Sequence, residues 1–369
     1  MATAKKKKAA GSYDFFILIP TVILLGVGLV AVYSSSTLLA ADKFQDSYYF
    51  LKRQMIFALA GILLLFLAKN IPVELYRKLA YPILVLSFIM LALLYIPGVG
   101  KTVNGATRWL RIGGFGLQPS EVVKLSLAVY MAYSMSKKGN NMSSLSKGLL
   151  PHLLIVGIFM VMILGQPDLG NTVIIGCWLM ILLFVAGLNL FHILAMAIIS
   201  CPVIYWLVTH AEYRLNRLLA FLNPWEHSQT LAYQLIHSYL AFGSGGIFGV
   251  GLGNSKQKLH YLPEPHTDCV LSILAEELGL IGVLAIVILF TVLIIRGIKI
   301  SLDASDLYSS YLALGITTLL GMQVIINMGV VMGLLPTKGL ALPLLSYGGS
   351  SLMVNLIGIG ILMNISARK

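Results

Sequence analysis

The stretch from Leu278 to Ile295 reads LGLIGVLAIVILFTVLII and contains no charged side chain. Its 18 residues would form an α-helix about as long as the hydrocarbon core of a membrane is thick, since each helical residue adds ~1.5 Å and the core measures ~30 Å. The stretch therefore predicts a transmembrane helix.

The rest of the chain has the same character. Of its 369 residues, 58% are hydrophobic and 11% are charged, with a mean hydropathy of +0.89, whereas soluble proteins carry about 25% charged residues. We predict an all-α integral membrane protein of about ten transmembrane helices. The predicted spans are 15–33, 54–68, 79–96, 122–135, 149–164, 172–186, 193–208, 278–295, 311–335 and 344–365.

The net charge of +12 indicates membrane orientation and contact with anionic head groups or phosphates rather than with nucleic acid, because the basic residues lie in short loops. Short loops on the N-terminal side carry 14 Lys and Arg residues, against 7 on the opposite side. The positive-inside rule then predicts that both termini are cytoplasmic, with Lys5 to Lys8 as the strongest anchor.

These assignments divide the chain into five segments. A basic cytoplasmic tail, 1–14, precedes transmembrane helices 1–7 in 15–208, and a long extracytoplasmic loop follows in 209–267. Transmembrane helices 8–10 occupy 268–366, and 367–369 form the cytoplasmic C-terminus. A connection as long as 209–267 in a compact membrane domain is expected to carry function.

The long loop contains two sequence patterns. Between Ser228 and Phe242 apolar residues recur at helical intervals, which predicts an amphipathic helix on the bilayer surface. Six glycines then fall between Gly243 and Gly253. They superficially match a nucleotide-binding loop, but no β-strand precedes them, and this context argues against dinucleotide binding.

Asp268 is the first candidate for chemistry. It lies up to two turns above the apolar part of the eighth span, a depth that suits a carboxylate facing a cavity open to the outer leaflet. The same position suits an N-cap of the helix, and the residues alone leave both interpretations open. Glu276 and Glu277 are placed at the outer membrane boundary, where packing at the helix end is the expected role.

A second cluster lies at the outer end of the fourth span. Glu121 in the first helical turn meets the positive end of the helix dipole. Lys124 lies one turn deeper, where an unpaired ammonium is costly, and Asp168 enters the membrane from the same side. We predict a structural ion pair between Lys124 and Asp168, with direct substrate contact as the alternative.

Cationic side chains in the outer loops form a third group. Guanidinium groups bind phosphate oxygens bidentately, so such a cluster beside a carboxylate suits a lipid that carries a diphosphate. Nonspecific contact with anionic head groups is the alternative. The histidines and the three cysteines show no metal-ligand spacing, so no dedicated metal site is expected. The cations are Arg108, Arg111, Arg214, Arg217 and Lys338.

Taken together, these motifs resemble the SEDS family (shape, elongation, division and sporulation), and the resemblance covers essentially the whole chain. The segment from Pro336 to Ser351 is similar to the cell-division branch rather than the elongation branch. Cys269 and Val270 depart from the pattern, because the family usually has an aromatic residue and an isoleucine there. The matching segments are 118–121, 166–170, 223–225, 251–258, 266–268, 275–279, 336–343 and 346–351.

The resemblance implies a ten-helix peptidoglycan glycosyltransferase in the bacterial cytoplasmic (inner) membrane, at the division septum. It would polymerise lipid II at the outer face and release undecaprenyl diphosphate. Its implied partners are a class B penicillin-binding transpeptidase (FtsI-like) and other division proteins. No cofactor is certain, although a divalent cation, Mg²⁺ or Mn²⁺, could assist the diphosphate.

The resemblance also implies roles for individual residues. Asp268 becomes the general base or essential acid of the reaction. A structural role, in which the side chain holds the site in position without touching the substrate, is expected for Glu121, Lys124, Asp168, Glu276 and Glu277. Substrate contacts are expected from Arg108, Arg214, Arg217, His266, Lys338 and Ser346.

Two functions from other classes remain as alternatives. A lipid II flippase would need a path of ionisable residues that reaches the bilayer midplane, yet the candidate acids lie on the outer side. A division scaffold that only positions its partner enzyme would leave Asp268 dispensable for any chemistry.

Overall fold

The structure is a computed structural model that describes residues 13–103, 105–112, 115–227, 232–259 and 261–368. Three predicted features fall wholly or partly outside these ranges. The Lys5 to Lys8 anchor is one, the first four residues of the amphipathic stretch, 228–231, are another, and Lys369 at the C-terminus is the third.

Helices account for most of the described chain. The long connections also contain a 3₁₀ turn at Gly139–Ser143, a π-helical turn at Leu145–Leu149 and a second 3₁₀ turn at Pro224–His227. The α-helices are α1 Phe15–Phe44, α2 Tyr49–Asn70, α3 Val73–Lys78, α4 Ala80–Leu93, α5 Pro119–Lys138, α6 Leu150–Gly165, α7 Leu169–Val185, α8 Leu190–Thr209, α9 Glu212–Leu222, α10 Tyr233–Gly245, α11 Val270–Leu302, α12 Leu307–Val331 and α13 Gly349–Ser366.

Each of the ten predicted spans falls on a different helix, namely α1, α2, α4 to α8 and α11 to α13. Within the described residues, seven of these helices are long and apolar enough to cross a membrane. The apolar helices α4 and α7 are shorter, and α5 carries charged residues in its first and last turns. The helical membrane protein is therefore confirmed, while the count of ten crossings stays a prediction.

The connection between α4 and α5 forms a small antiparallel sheet that the sequence analysis did not anticipate. Its strands are β1 Gly100–Val103, β2 Ala106–Ile112 and β3 Phe115–Leu117, in the order β1-β2-β3. Along β2, Ala106 and Leu110 are buried while Arg111 is exposed, as expected for side chains that alternate between the two faces of a strand. The sheet places Arg108 beside the turn that precedes α7.

The core lies where α2 packs on α13, α5 on α12, and α11 on both α1 and α12. Small residues allow the close approaches that stabilise helix pairs in lipid. Gly360 of α13, for example, lies against the carbonyl of Leu65 in α2, so a Cβ atom there would overlap with the neighbouring backbone. Helix α8 has no fully buried residue, and its partly buried Ile193 and Met196 pack against the core.

The longest helix, α11, is interrupted at Gly279, whose φ of 65° is incompatible with a regular helix. The break leaves carbonyls without partners inside the helix. The carbonyl of Glu276 accepts a hydrogen bond from the amide of Val250 at 3.0 Å, and that of Glu277 accepts one from Gly251 at 3.1 Å. The glycine-rich loop thus enters the break.

On the far side of the break, the amides of residues 280 and 281 donate to the carbonyls of residues 246 and 247 at 2.9 and 3.2 Å. Gly249 has a φ of 79°, and a Cβ atom at this position would overlap with the carbonyl of Glu277. The glycines therefore allow one backbone to pass directly against another. This role fits the sequence argument against a nucleotide-binding loop.

Candidate functional site

A cavity of about 110 Å³ opens at the end of the bundle that carries the sheet. It is bounded by β2, the start of α7, helix α9 and the segment 336–340 between α12 and α13. Arg108, Arg214, Arg217 and Lys338 all line it, although they come from three distant parts of the sequence. The structure thus brings together the four cations for which substrate contact is predicted.

Backbone carbonyls hold Arg108 at the cavity wall. Its Nε donates to the carbonyl of Gln166 at 3.0 Å, and its Nη2 donates to that of Pro167 at 2.5 Å. These contacts tie the sheet to the turn before α7. They use one edge of the guanidinium group, which has five N–H donors in all, so donors remain for an anion in the cavity.

Helix α9 presents Arg214 and Arg217 on one face, because residues three apart in a helix are neighbours. The Nε of Arg214 donates to the hydroxyl of Tyr213 at 2.8 Å, and its Nη1 donates to the carbonyl of Leu207 at 2.9 Å. Arg217 is exposed, its guanidinium lies 6.0 Å from the centroid of the Tyr213 ring, and it has no hydrogen bond or ion pair to another described residue. Arg217 is therefore the least constrained of the three arginines.

Lys338 lines the same cavity from the segment that joins α12 to α13. It is half-buried, and burial lowers the pKa of its ammonium group. Asp168 lines the same cavity and favours the charged form of the lysine. An anionic ligand entering the cavity would therefore gain a cation that is only partly solvated.

Asp268 lies two residues before α11, with its carboxylate beside Gly339. Among the described residues no group donates a hydrogen bond to this carboxylate. Burial raises the pKa of Asp268 to about 7, and the negative charge of Glu264 acts in the same direction. Arg217 and Arg108 oppose these effects. A carboxylate that is unpartnered, close to cations and half ionised near neutral pH has the properties of a general base.

The alternative role of Asp268 as a helix cap is excluded by the helix start. The N-cap of α11 is Cys269, and no side chain accepts a hydrogen bond there. The thiol of Cys269 instead accepts a hydrogen bond from Gln234 Nε2 at 2.8 Å, so the residue that departs from the family pattern packs against α10. Asp268 is left with its carboxylate available to a ligand.

Glu276 and Glu277 are almost fully buried, and their carboxylates bind the loop that precedes α11 and the end of α1. The carboxylate of Glu276 accepts hydrogen bonds from the Ser255 hydroxyl and from the amides of residues 256 and 257, the latter at 3.0 and 3.2 Å. That of Glu277 accepts from Ser34 at 2.6 Å and pairs with Lys258 at 3.1 Å. These contacts fit the predicted packing role at the helix end.

The predicted ion pair between Lys124 and Asp168 is wrong. Lys124 Nζ pairs with Glu121, one turn earlier on α5, at 2.6 Å and also donates to the Asn171 side chain at 3.2 Å. The carboxylate of Asp168 is occupied by α7, since it accepts from the Asn171 amide at 3.1 Å and from Asn171 Nδ2 at 2.8 Å. Asn171 therefore stands between the two charges that were expected to meet.

His266 and Ser346 do not line the cavity. The ring of His266 is buried between Phe50 and Tyr347, with centroid distances of 4.3 and 5.5 Å. The hydroxyl of Ser346 accepts from the Leu342 amide at 2.8 Å, which closes the turn before α13. Their substrate contact stays a prediction, and the geometry favours packing roles.

Sequence reasoning overlooked two residues near the site. Gly339 matters because the Asp268 carboxylate lies against it, and Asn171 matters because it links Lys124 to Asp168. Neither residue type indicates chemistry on its own, and the sequence marks Gly339 only as part of the matching segment 336–343. In the part of the chain that the structure describes, no three His, Cys, Asp or Glu side chains converge in a way that could hold a metal ion.

The model of the cell cycle protein family that includes FtsW, RodA and SpoVE matches residues 15–369. The chain belongs to this family. A Geobacter metallireducens member, whose name is probable peptidoglycan glycosyltransferase FtsW, is 48% identical over 356 residues, which cover 96% of this chain and 95% of the relative. The SEDS resemblance is thereby confirmed.

Solved structures of the family have the same fold. A chain of a peptidoglycan synthase complex, described as coordinating polymerization and crosslinking, superimposes with a TM-score of 0.79 at 28% identity and covers 97% of this chain and 98% of its own. The rod shape determining protein RodA of Thermus thermophilus superimposes with a TM-score of 0.71 at 28% identity, with 97% of each chain covered.

Proposed function

We propose that this chain is a peptidoglycan glycosyltransferase that polymerises lipid II during septal wall synthesis. The names of its relatives support the reaction, and one observation supports the site. The Asp268 carboxylate has a pKa of about 7 and no hydrogen-bond partner among the described residues. It lies beside Gly339, and Gly339 lines the cavity together with the four cations.

In the proposed reaction, Asp268 accepts the proton of the 4-hydroxyl group on the acceptor sugar as that oxygen attacks the anomeric carbon of the donor. A new glycosidic C–O bond forms, and the bond between the anomeric carbon and the diphosphate oxygen breaks. Undecaprenyl diphosphate leaves with the electron pair. A base with a pKa near the working pH combines ionisation with useful basicity, which is the optimum for this role.

The cations stabilise the charge that develops on the leaving group. Arg108 and Arg214 are fixed by carbonyls and so are already oriented before the ligand arrives, which favours electrostatic catalysis. Arg217 and Lys338 supply further positive charge on either side of the cavity. A divalent cation, Mg²⁺ or Mn²⁺, could also neutralise the diphosphate, and the arginines and lysine would provide this charge without it.

The cellular setting is part of the same proposal. Identity of 48% over nearly the whole chain with a protein named FtsW supports a division role at the septum. The likeness to a synthase complex supports a class B penicillin-binding transpeptidase as partner. The positive-inside rule predicts that both termini are cytoplasmic, and this topology would put the cavity and Asp268 on the outer side of the cytoplasmic membrane.

The position of the ionisable residues argues against a flippase. In the described helices that carry the predicted spans, every Asp, Glu, Lys and Arg lies within about two turns of a helix end. No ionisable path therefore crosses the middle of the bundle in this part of the chain, as a transport route for a diphosphate would require. The scaffold alternative gives no reason for an available carboxylate beside a cationic cavity.

Purified protein, supplied with lipid II and with its co-expressed transpeptidase, tests the proposal. We expect to detect glycan polymers on a gel. They should form in detergent solution, where no bilayer separates two compartments. Translocation of lipid II across vesicles without polymer formation would instead identify a flippase, and the absence of both activities would favour a scaffold.

A further inference from the structure

Asn327 is a buried polar residue that neither the sequence motifs nor the cavity lining brings to notice. It lies on α12, about one turn before the helix ends, and its side chain is only 2% exposed. Its Oδ1 atom has no hydrogen-bond partner among the described residues. A buried acceptor without a hydrogen-bond partner destabilises the folded protein, so any stabilising contribution of the Asn327 side chain has to come from its amide N–H donors.

Both donors are used, and they point to the two segments that form the site. Asn327 Nδ2 donates to the backbone carbonyl of Asp268 at 3.2 Å and to that of Leu340 at 2.5 Å. The Leu340 amide in turn donates to the carbonyl of Lys338 at 3.0 Å, which fixes the turn that carries the lysine. One amide group thus connects the segment of the proposed base to the segment of the proposed cation.

We propose that Asn327 is a positioning residue, which rests on the proposed function and extends it to a group that does not touch the substrate. By holding two carbonyls at once, Asn327 fixes where the Asp268 carboxylate lies relative to Lys338 and Gly339. Only an amide of this length supplies two donors from this point of the helix. An apolar side chain leaves two carbonyls unsatisfied, and an aspartate donates one hydrogen bond only when it is protonated.

The test uses Asn327→Leu and Asn327→Asp in the full-length protein with its transpeptidase, assayed with lipid II over a range of pH. For Asn327→Leu we expect kcat to fall by about tenfold or more, since a displacement of about 1 Å can cost a factor of 100, while KM changes much less. The acidic limb of the pH profile should also move, because Asp268 shifts relative to Glu264 and Arg217. Asn327→Asp should regain activity relative to Asn327→Leu as the pH falls.

Asn364 provides a matched control at the other end of the bundle. Its amide donates to the carbonyls of Lys69 and Ile71, a contact of the same kind between a helix and a loop. Asn364→Leu should lower thermal stability to a similar extent as Asn327→Leu but leave kcat and the pH profile unchanged. Equal loss of kcat in both variants, or an unmoved acidic limb in folded Asn327→Leu, would overturn the proposal.

Hydrogen exchange separates this proposal from the assigned reaction. Peptides that cover 264–270 and 336–345 should exchange faster in both Asn327 variants, with Asn327→Asp informative if Asn327→Leu does not fold. An inactive wild type with this exchange pattern would refute the reaction and leave the positioning intact. Unchanged exchange in the two segments would refute the positioning whatever the activity.

Discussion

The Asp268 carboxylate lies beside Gly339, although the two residues are 71 positions apart in the sequence. A Cβ atom added to Gly339 would lie 3.1 Å from the Asp268 carboxylate oxygen Oδ2. The neighbouring Lys338 lines the cationic cavity, so this contact sets the proposed base next to the proposed diphosphate site. The absence of a side chain at position 339 therefore leaves the Asp268 carboxylate in its position next to that site.

Gly339→Ala should lower polymerisation of lipid II by about tenfold, because the new methyl group displaces the carboxylate from its position for proton transfer. The variant should still fold, since a shift of a few tenths of an ångström relieves the contact. Glycan yield per unit of folded protein is the measurement. Gly157→Ala in α6, where a Cβ atom meets nothing within 4 Å, is the control. Full activity in Gly339→Ala would contradict the assigned contact.

The rate should depend on pH through Asp268. With a pKa of about 7, the ionised base is lost as the pH falls through neutrality, so activity about one unit below that value should be about tenfold under the alkaline plateau. Glu264→Gln removes a negative charge that raises this pKa, so the acidic limb should move to lower pH. A limb that stays in place in Glu264→Gln would show that another group titrates.

Arg217 is expected to contribute substrate affinity, because its guanidinium has no hydrogen bond to another described residue. Arg217→Ala should raise KM for lipid II by roughly tenfold to a hundredfold, the range of a lost hydrogen bond between charged groups. Arg217→Lys should recover only part of this, since an ammonium cannot reproduce the two-pronged contact. Arg111→Ala removes an exposed arginine of β2 that does not line the cavity, and an equal effect there would contradict a specific site.

The pair of Glu121 and Lys124 should behave as one buried unit. Lys124→Met leaves the Glu121 carboxylate buried without its partner and should lower the free energy of unfolding by about 3–5 kcal/mol. The double variant Lys124→Met with Glu121→Gln should lose less free energy of unfolding than the two single variants together. A double-mutant cycle of Lys124 with Asp168 should give a smaller coupling energy than the cycle of Lys124 with Glu121. Unfolding in mixed detergent micelles gives these values, and additivity for the first pair would contradict the structure.

The membrane-spanning helices follow from the sequence because burial in lipid requires long apolar runs with every backbone group bonded internally. The same logic placed Asp268 and the four cations at one end of the bundle, since charges are confined to the helix ends. Which cations meet in one cavity depends on how α9 and β2 fold back over the bundle. Composition and periodicity carry no information on that.

The errors have physical causes of the same kind. The prediction of an ion pair between Lys124 and Asp168 rests on their similar depth in the membrane. Depth does not give the direction in which a side chain leaves its helix, and Glu121 lies nearer to Lys124 on the same face of α5. The break at Gly279 could not be foreseen, because a glycine within an apolar run does not reveal that another backbone enters there. Asn327 escaped notice for a related reason, since its partners are main-chain carbonyls.

Asp268→Asn tests the central claim most directly, because it keeps the shape of the side chain and removes its charge and basicity. Folding raises the pKa of Asp268, so ionisation of this carboxyl destabilises the folded protein as the pH rises above the ordinary pKa of an aspartate. At pH 8 the Asp268→Asn variant should therefore be at least as stable as the wild type. Glycan chains made from lipid II are measured on a gel, with the partner's own transpeptidase activity on a small peptide substrate, which needs no new glycan, as the control for folding and assembly. We expect polymer to fall by roughly two orders of magnitude or more while this transpeptidase activity persists. Polymer near the wild-type level from the folded variant would contradict the assignment of Asp268 as the base.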